Sequence, residues 1–293
     1  MVFILLATGC AATSSAASLP SLPWPDQGQA AMEAEGLGSL GSSGGSTPVP
    51  IASVTKVMTA YVILQEHPLR PGEDGPLIQV DQTAQDEAHS LQESTVPVRA
   101  GQRIRLRRML ELMLVPSGNN AARLLARWDA GSEQRFTAKM NAAARRLGMA
   151  ATRYTGASGN EDSTVSTAAD QLVLAKAAMR QAVFREVVAE RETAVPGDTR
   201  RLPNTNTLLG RYGVIGIKTG SGTAAGGNLV WAARLRGRLV YGVVLGQAAG
   251  TNPVAAKHAA LEAGERLSAA AERWTRLQEG HTRPLMPKVA PGR

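Results

Sequence analysis

Extended segments lie near both ends of this chain, and an almost unbroken series of helical patterns separates them. Residues 29–35 and 37–40 predict two short strands that turn around Gly36. Three further strands are predicted much later, at residues 213–217, 229–235 and 239–245. Strands so far apart in sequence can share one sheet only if the middle of the chain packs beside that sheet.

The middle of the chain is predominantly helical by its apolar periodicity. A strong helical pattern runs from Ser53 to about Leu64 and stops before Pro68. Residues 77–105 look extended, with a turn at 97–101. Further helical patterns cover residues 106–114, 119–129, 132–147, 167–179, 181–189 and about 254–277. These patterns predict an α+β protein in which an antiparallel sheet is flanked by N- and C-terminal helices and carries an inserted all-helical subdomain.

The same patterns suggest how the chain is divided. We expect a discontinuous sheet subdomain over residues 24–80 and 195–280, a helical subdomain over 81–194, and a tail over 281–293. Residues 1–23 are expected to be the remnant of an export signal or disordered.

The first residues predict where the protein works. The apolar run Val2–Leu6 is too short to span a bilayer, and small residues follow it up to Cys10. This pattern resembles the end of a secretory signal and a bacterial lipoprotein cleavage box. We therefore expect an extracytoplasmic protein, either secreted or attached to the membrane through a lipid on Cys10.

Composition excludes several classes of function. The 293 residues include a single cysteine, which rules out a disulfide framework and a thiolate metal site. The net charge of +8 comes from scattered basic residues without zinc-knuckle spacing or aromatic-plus-basic strands, so no nucleic-acid partner is expected. The four histidines lie near no Gly-x-Ser-x-Gly turn and show no metal-ligand spacing, which disfavours a Ser-His-Asp triad and a zinc peptidase. No cofactor is expected.

The segment Ser53-Val54-Thr55-Lys56 opens the first helix. A serine at a helix start has its backbone N–H among the unsatisfied donors, where the helix dipole favours developing negative charge. Lys56 projects from the same face. Because a free lysine has a pKa of about 10.4, burial or cationic neighbours must lower the pKa before Lys56 can act as a base. Alone, this pair is typical of a helix cap and a solvated lysine.

A second candidate element is Ser117-Gly118-Asn119, which lies between two helical patterns. Pro116 and Gly118 suggest a tight, exposed turn that aims a hydroxyl and a carboxamide at one point. The alternative is that Ser117 caps the helix that follows. The tripeptide is repeated at Ser158-Gly159-Asn160, so the motif by itself does not choose between the two places.

The third candidate element is Lys218-Thr219-Gly220, which we place at the end of the strand at 213–217. A glycine at a strand edge lets another backbone approach closely, and a substrate peptide is one candidate. Lys218 and Thr219 suit an anionic substrate end. By itself, however, Lys-Thr-Gly is a common turn.

Taken in order, the three motifs are far more specific than any one of them. Ser117 follows Ser53 by 64 residues, and Lys218 follows Ser117 by 101. Ser-x-x-Lys, Ser-x-Asn and Lys-Thr-Gly in this order are the signature of penicillin-binding proteins and class A β-lactamases. Roughly residues 24–250 resemble the low-molecular-mass D-alanyl-D-alanine carboxypeptidases, as seen in the segments 50–60, 113–122, 140–141, 147–149, 204–206 and 216–220. The resemblance implies a β-lactamase/transpeptidase-like fold, and it aligns Ser158-Gly159-Asn160 with a loop outside the motif set.

The resemblance also implies roles for single residues. Ser53 would attack the carbonyl of the penultimate D-Ala of a peptidoglycan stem peptide, form an acyl-enzyme and release D-Ala. Lys56 would be the base. Ser117 would relay the proton towards the leaving amine, and Asn119 would orient the substrate amide.

The remaining implied roles concern substrate and oxyanion binding. Lys218 and Thr219 would hold the terminal carboxylate, and Gly220 would line the strand edge. The backbone N–H groups of Ser53 and Ser221 would form the oxyanion hole. β-Lactams would acylate the same serine, and the protein is expected to be a monomer.

Two other functions stay open at this point. A class A β-lactamase uses the glutamate of a Glu-x-x-Leu-Asn loop for deacylation, and Glu161 and Glu186 lack the Leu and Asn that should follow. Ser221-Gly222 nevertheless resembles β-lactamases, since many carboxypeptidases have a threonine where Gly222 stands. Asn120 is a second departure, because many relatives carry an acidic residue there. A non-catalytic receptor or scaffold with this fold should have lost a residue of the nucleophile site, and none is missing.

Overall fold

The computed structural model describes residues 21–282, with side chains as far as residue 276. Residues 1–20 of the predicted export remnant, which include Val2, Leu6 and Cys10, lie outside the described residues, as does most of the predicted tail. Within the described part, the strands are β1 (Gln29–Ala34), β2 (Gly38–Ser43), β3 (Val49–Pro50), β4 (Leu77–Gln79), β5 (Arg103–Arg105), β6 (Val165–Ser166), β7 (Glu192–Thr193), β8 (Leu202–Pro203), β9 (Val214–Gly222), β10 (Gly226–Leu235) and β11 (Arg238–Gln247). The helices are α1 (Lys56–Glu66), α2 (Gln82–Glu87), α3 (Leu106–Leu114), α4 (Asn119–Ala130), α5 (Glu133–Arg146), α6 (Ala168–Ala178), α7 (Ala182–Val188) and α8 (Pro253–Thr282).

The main sheet joins the two ends of the chain, as the sequence predicts. Its five antiparallel strands lie in the order β2-β1-β11-β10-β9, so β9 is an edge strand. The N-terminal strand β1 pairs along its length with β11, from Gln29 opposite Leu245 to Ala34 opposite Val240. The fold class is therefore the predicted mixture of an antiparallel sheet and flanking helices.

The sheet is buried on both faces because each face carries alternate apolar residues of the strands. On one face, Met32, Trp231 and Val244 pack against Leu261 and other residues of α8. On the other face, residues of β10 and β11 share a second core with helices of the middle of the chain, including Met58, Phe136, Phe184, Val243 and Leu245. Because this second core runs without a break from sheet to helices, the division at residues 80 and 194 stays a prediction.

Periodicity predicts the longer helices well. α3 has the predicted bounds, and α4 to α7 differ from the prediction by at most one residue at either end. The expected caps also form, since the side chain of Ser132 accepts from Arg135 N and that of Thr167 accepts from Asp170 N.

Two local predictions were wrong. Residues 82–87 form the helix α2 instead of an extended segment, with the Asp81 side chain as its N-cap at 2.7 Å from Ala84 N. Only Ala84 of this helix is buried, so no apolar period reveals it. The strand predicted at 213–217 continues to Gly222 because β10 supplies partners as far as Gly226. Lys218-Thr219-Gly220 therefore lies within an edge strand and not beyond its end.

Asn120 fixes the segment that leads into the site. Its amide is fully buried and accepts a hydrogen bond from Val96 N at 3.0 Å. The amide nitrogen donates to Ala84 O at 3.1 Å and to Val96 O at 2.8 Å. A carboxylate cannot make the two donated bonds, which explains why an amide stands here.

We expect Asn120→Asp to lower the free energy of unfolding by about 2 kcal/mol at pH 8, because two buried carbonyls then face a carboxylate. Such an aspartate has a raised pKa in the folded state, so the loss is smallest below the unfolded pKa of about 3.9 and grows as the pH rises. Urea unfolding at pH 4 and pH 8 measures the difference. Asn252→Asp is the control, since the exposed Asn252 only accepts from Val254 N and an aspartate keeps that bond. Equal effects of the two substitutions would contradict the explanation.

Candidate active site

Lys56 is the centre of the candidate site. Its side chain is completely buried, and Nζ donates to Ser53 Oγ at 2.8 Å, Asn119 Oδ1 at 2.5 Å and Ser158 O at 2.8 Å. Three acceptors match the three hydrogens of an ammonium group. The structure thus brings Ser53, Lys56 and Asn119, which lie on separate motifs of the sequence, into one hydrogen-bonded group.

Ser53 lies in a 3₁₀ turn, Ala52–Thr55, that leads directly into α1. The turn begins in the left-handed region, with φ of 45° at Ala52. The side chain of Ser53 is only half-buried, so its hydroxyl is bonded to Lys56 and still accessible to a substrate. The predicted helical start at Ser53 is correct to within one turn.

Gly220 allows the strand β9 to lie against this turn. A Cβ at Gly220 would be 2.8 Å from Ile51 O and 3.0 Å from Ser53 N. The glycine was predicted to admit another backbone, with a substrate peptide as the candidate. The backbone that it admits here is the chain's own Ser53 turn (Ala52–Thr55), so Gly220 fixes the distance between Ser53 and β9.

The surroundings of Lys56 favour its neutral form. Burial is the main cause that lowers the pKa of Lys56 well below its ordinary value, and the positive charges of Lys218 and Arg123 lower it further. The carboxylates of Glu93 and Glu161 act in the opposite direction. A buried lysine with a lowered pKa, 2.8 Å from a serine hydroxyl, has both the geometry and the proton affinity of a general base.

Lys218 and Thr219 form a second group on β9. Lys218 Nζ donates to Thr219 O at 3.0 Å and to Thr205 Oγ1 at 3.4 Å. Thr219 Oγ1 donates to Thr205 Oγ1 at 2.6 Å. Burial and then the charge of Lys257 lower the pKa of Lys218 to about 7. An anionic ligand at this position would favour the charged ammonium.

Thr205 was not assigned a role from the sequence, although its segment is part of the family resemblance. Besides contacting Lys218 and Thr219, its N–H donates to Val115 O at 3.1 Å. Thr205 therefore connects the Lys-Thr-Gly strand to the segment just before Ser117.

The Ser117-Gly118-Asn119 turn is held by backbone contacts. Ser117 has φ of 72°, a strained conformation for a residue with a side chain, and it is almost fully buried. Gly118 is the N-cap of α4 and has no side-chain cap, so the alternative that Ser117 caps this helix is wrong. A Cβ at Gly118 would be 2.8 Å from Leu112 O, and Asn119 N donates to Ser94 O at 2.8 Å. Because of this strained turn, Ser117 lies before the N-cap residue and does not cap the helix.

The repeated tripeptide Ser158-Gly159-Asn160 also contributes to the site. This was not predicted, because the resemblance places the tripeptide outside the motif set. Ser158 supplies its backbone oxygen to Lys56, while its hydroxyl lies 3.3 Å from Arg123 Nη1. A Cβ at Gly159 would be 2.0 Å from Ala52 O, so the glycine allows the Ser53 turn to lie against it. The repeated Ser-Gly-Asn sequence was the one feature that could have indicated this contact. It could not identify the contact, however, because Ser158 bonds Lys56 through a backbone oxygen, which every residue type has.

Two charged residues of the site were also missed. Glu93 Oε2 accepts from Asn119 Nδ2 at 2.6 Å, and Glu93 Oε1 lies 2.6 Å from Arg123 Nη2.

Ser221 lies next to Gly220 on β9, where it pairs with Gly227 and is half-buried. Its part in an oxyanion hole stays a prediction.

Comparison with known sequences agrees with this geometry. The family described as D-alanyl-D-alanine carboxypeptidase matches residues 39–249. The D-alanyl-D-alanine carboxypeptidase DacB2 of Mycobacterium tuberculosis is 36% identical over 206 residues, which cover 67% of each chain. The D-alanyl-D-alanine carboxypeptidase of Streptomyces sp. strain K15 is 32% identical over 209 residues, which cover 66% of this chain and 71% of the relative.

Solved structures show the same fold. The Streptomyces K15 DD-transpeptidase superposes with a TM-score of 0.73 at 27% identity, over 89% of this chain and 99% of the other. A D-alanyl-D-alanine carboxypeptidase of Mycobacterium tuberculosis superposes with a TM-score of 0.70 at 29% identity, over 94% and 99%. The predicted β-lactamase/transpeptidase-like fold is therefore confirmed.

Proposed function

The chain belongs to the D-alanyl-D-alanine carboxypeptidase family, and from this premise we propose that Ser53 is its nucleophile and Lys56 its general base. The enzyme is a serine-type carboxypeptidase that acts on peptidoglycan stem peptides and so works outside the cytoplasm. The observation that supports our assignment is the hydrogen bond of 2.8 Å between Lys56 Nζ and Ser53 Oγ.

Acylation begins with proton transfer from Ser53 Oγ to the neutral amine of Lys56. The Ser53 oxygen attacks the carbonyl carbon of the penultimate D-Ala, and the carbonyl oxygen becomes an oxyanion. We assign its stabilisation to the backbone N–H groups of Ser53 and Ser221. When the intermediate collapses, the C–N bond breaks, and Ser117 passes the proton to the amine of the departing D-Ala.

Lys218 and Thr219 hold the terminal carboxylate of the substrate in this proposal. Gly220 lines the strand edge, and Asn119 orients the substrate amide. The buried, hydrogen-bonded positions of Lys218 and Thr219 on an edge strand support the assignment, because an extended peptide can lie beside such a strand. Water then attacks the ester carbonyl, which releases the shortened stem peptide and restores Ser53.

The finer setting of the enzyme is also part of the proposal. It acts as a monomer without a nucleic-acid partner, either secreted or attached to the membrane through Cys10. Among the helices within residues 21–282, none combines the length and the apolar character needed to span a bilayer.

Incubation with a fluorescent penicillin tests the assignment. We expect a single adduct, which mass spectrometry places on Ser53, and release of D-Ala from a D-Ala-D-Ala peptide. Rapid turnover of the penicillin would favour the β-lactamase alternative instead. A folded protein that forms no adduct and releases no D-Ala would refute the catalytic assignment. Adding an amine acceptor to the peptide reaction distinguishes hydrolysis from transfer, since transfer yields a cross-linked product.

A further inference from the structure

Glu93 lies on a loop between α2 and β5 and reaches into the site from outside the three motifs. Its Oε2 accepts from Asn119 Nδ2 at 2.6 Å, while Asn119 Oδ1 accepts from Lys56 Nζ at 2.5 Å. The Asn119 amide therefore bridges the carboxylate of Glu93 and the ammonium of Lys56.

Arg123 holds this carboxylate in place. Its Nη2 lies 2.6 Å from Glu93 Oε1 and its Nη1 lies 3.1 Å from Glu93 Oε2, which is a bidentate pair. Both side chains are largely removed from solvent, with exposed fractions of 11% for Arg123 and 12% for Glu93. Arg123 also lies 3.0 Å from Glu87 Oε1 and 3.3 Å from the hydroxyl of Ser158, but the bidentate pair with Glu93 is formed without them. The carboxylate thus has one well-defined position.

This arrangement permits one orientation of the Asn119 amide. If the amide were rotated by half a turn, its NH₂ would face an N–H of Lys56 and its oxygen would face the Glu93 carboxylate. Both contacts would then be repulsive. Since the amide nitrogen carries two hydrogens and Glu93 uses one, the other stays available for a substrate carbonyl.

We propose that Glu93, held by Arg123, is a positioning residue that keeps the Asn119 oxygen on Lys56 and one Asn119 N–H directed to the substrate. The proposal rests on the proposed function of Ser53 and Lys56. Glu93 and Arg123 lie outside the three sequence motifs.

The negative charge of Glu93 acts on the pKa of Lys56, which a purely structural residue would not do. The charged groups that face Lys56 are Lys218 on β9, Arg123 on α4, Glu93 on its loop and Glu161 on the loop before β6. Glu93 and Glu161 raise the pKa of Lys56, whereas Lys218 and Arg123 lower it. Partial burial alone would raise the pKa of Glu93, but the hydrogen bonds from Arg123 and Asn119 lower it, so Glu93 is ionised at neutral pH.

The test is the pH profile of the rate constant for acylation by a fluorescent penicillin. Because Lys56 must be neutral to accept the Ser53 proton, the rate rises as the pH increases through the pKa of Lys56. Glu93→Gln removes a charge that favours the ammonium, so we expect this acidic limb to move to lower pH. We expect the plateau to fall about tenfold, because the amide loses its charge-assisted hydrogen bond. Arg123→Gln should move the limb to higher pH.

Glu87→Gln is the matched control, since it removes a negative charge from the same arginine without touching Asn119. Its acidic limb should coincide with that of the unmodified protein, and Glu93→Asp should recover part of the lost rate. Thermal unfolding checks that each variant is folded; if Glu93→Gln does not fold, Glu93→Asp and Arg123→Gln carry the test.

Different results would refute the role of Glu93 and the proposed function. An unmodified protein without a Ser53 adduct refutes the proposed function. If the unmodified protein is acylated and the Glu93→Gln profile overlays it in both plateau and acidic limb, only the role of Glu93 is refuted. Equal changes in Glu87→Gln and Glu93→Gln would also overturn that role.

Discussion

Lys56→Ala is expected to lower the rate of acylation by about 10³-fold or more, because among the described residues only Lys56 is bonded to Ser53 Oγ and able to accept its proton. Lys56→Arg should fail to a similar degree, since a guanidinium has the charge but does not deprotonate in proteins. The measurement is the rate of penicillin adduct formation at pH 8, where an unmodified Lys56 with its lowered pKa is more often neutral than a free lysine.

The control for this prediction is Lys176→Ala. Lys176 pairs with Glu33 at 2.7 Å and lies away from the Ser53 turn, so its loss should leave acylation unchanged. Lys56→Ala also leaves the oxygens of Asn119 and Ser158 without their donor, and thermal unfolding must therefore accompany the kinetics. A folded Lys56→Ala protein that is acylated at a near-normal rate would refute the role of Lys56 as base.

The second large effect is expected from Gly220→Ala. The new methyl group would lie 2.8 Å from Ile51 O and 3.0 Å from Ser53 N, closer than unstrained carbon contacts allow. The Ser53 turn and β9 must then separate. A displacement of about 1 Å between reacting groups costs on the order of 10²-fold in rate, and we expect this loss in adduct formation.

Gly222→Ala is the matched control for Gly220→Ala. It lies two residues further along the same strand, and its methyl group would be 3.6 Å from Ala225 Cβ, an ordinary contact. The control should be acylated at nearly the normal rate. If Gly220→Ala were as active as Gly222→Ala, the close approach of β9 to the turn would have no functional importance.

The sequence predicts the parts of this fold that repeat a pattern. Long helices such as α3 and the paired strands at both ends have clear periods, because many of their residues face a core. The helix α2 has one buried residue and therefore no period. The extent of β9 depends on its neighbour β10, and a partner strand is not visible in the strand's own sequence.

The candidate site likewise contains residues that the sequence motifs predict and residues that only the folded chain brings together. The motifs predict that Ser53, Lys56 and Asn119 belong together, and the structure places them within hydrogen-bonding distance. Ser158 contributes a backbone oxygen, which every residue type has, so no pattern can reveal it. Glu93 is 26 residues from Asn119 in sequence, and only the folded chain brings the two side chains together.

The pairing of β1 with β11 also determines when the chain is able to fold. Gln29 lies opposite Leu245, so β1, which precedes the other described strands, gains its central neighbour only after β11 has been made. Contacts across so much sequence are slow to form. During synthesis, the residues around Ser53 are therefore made long before the sheet that supports them can close. We therefore expect a nascent chain of this protein to form no penicillin adduct until β11 has been made.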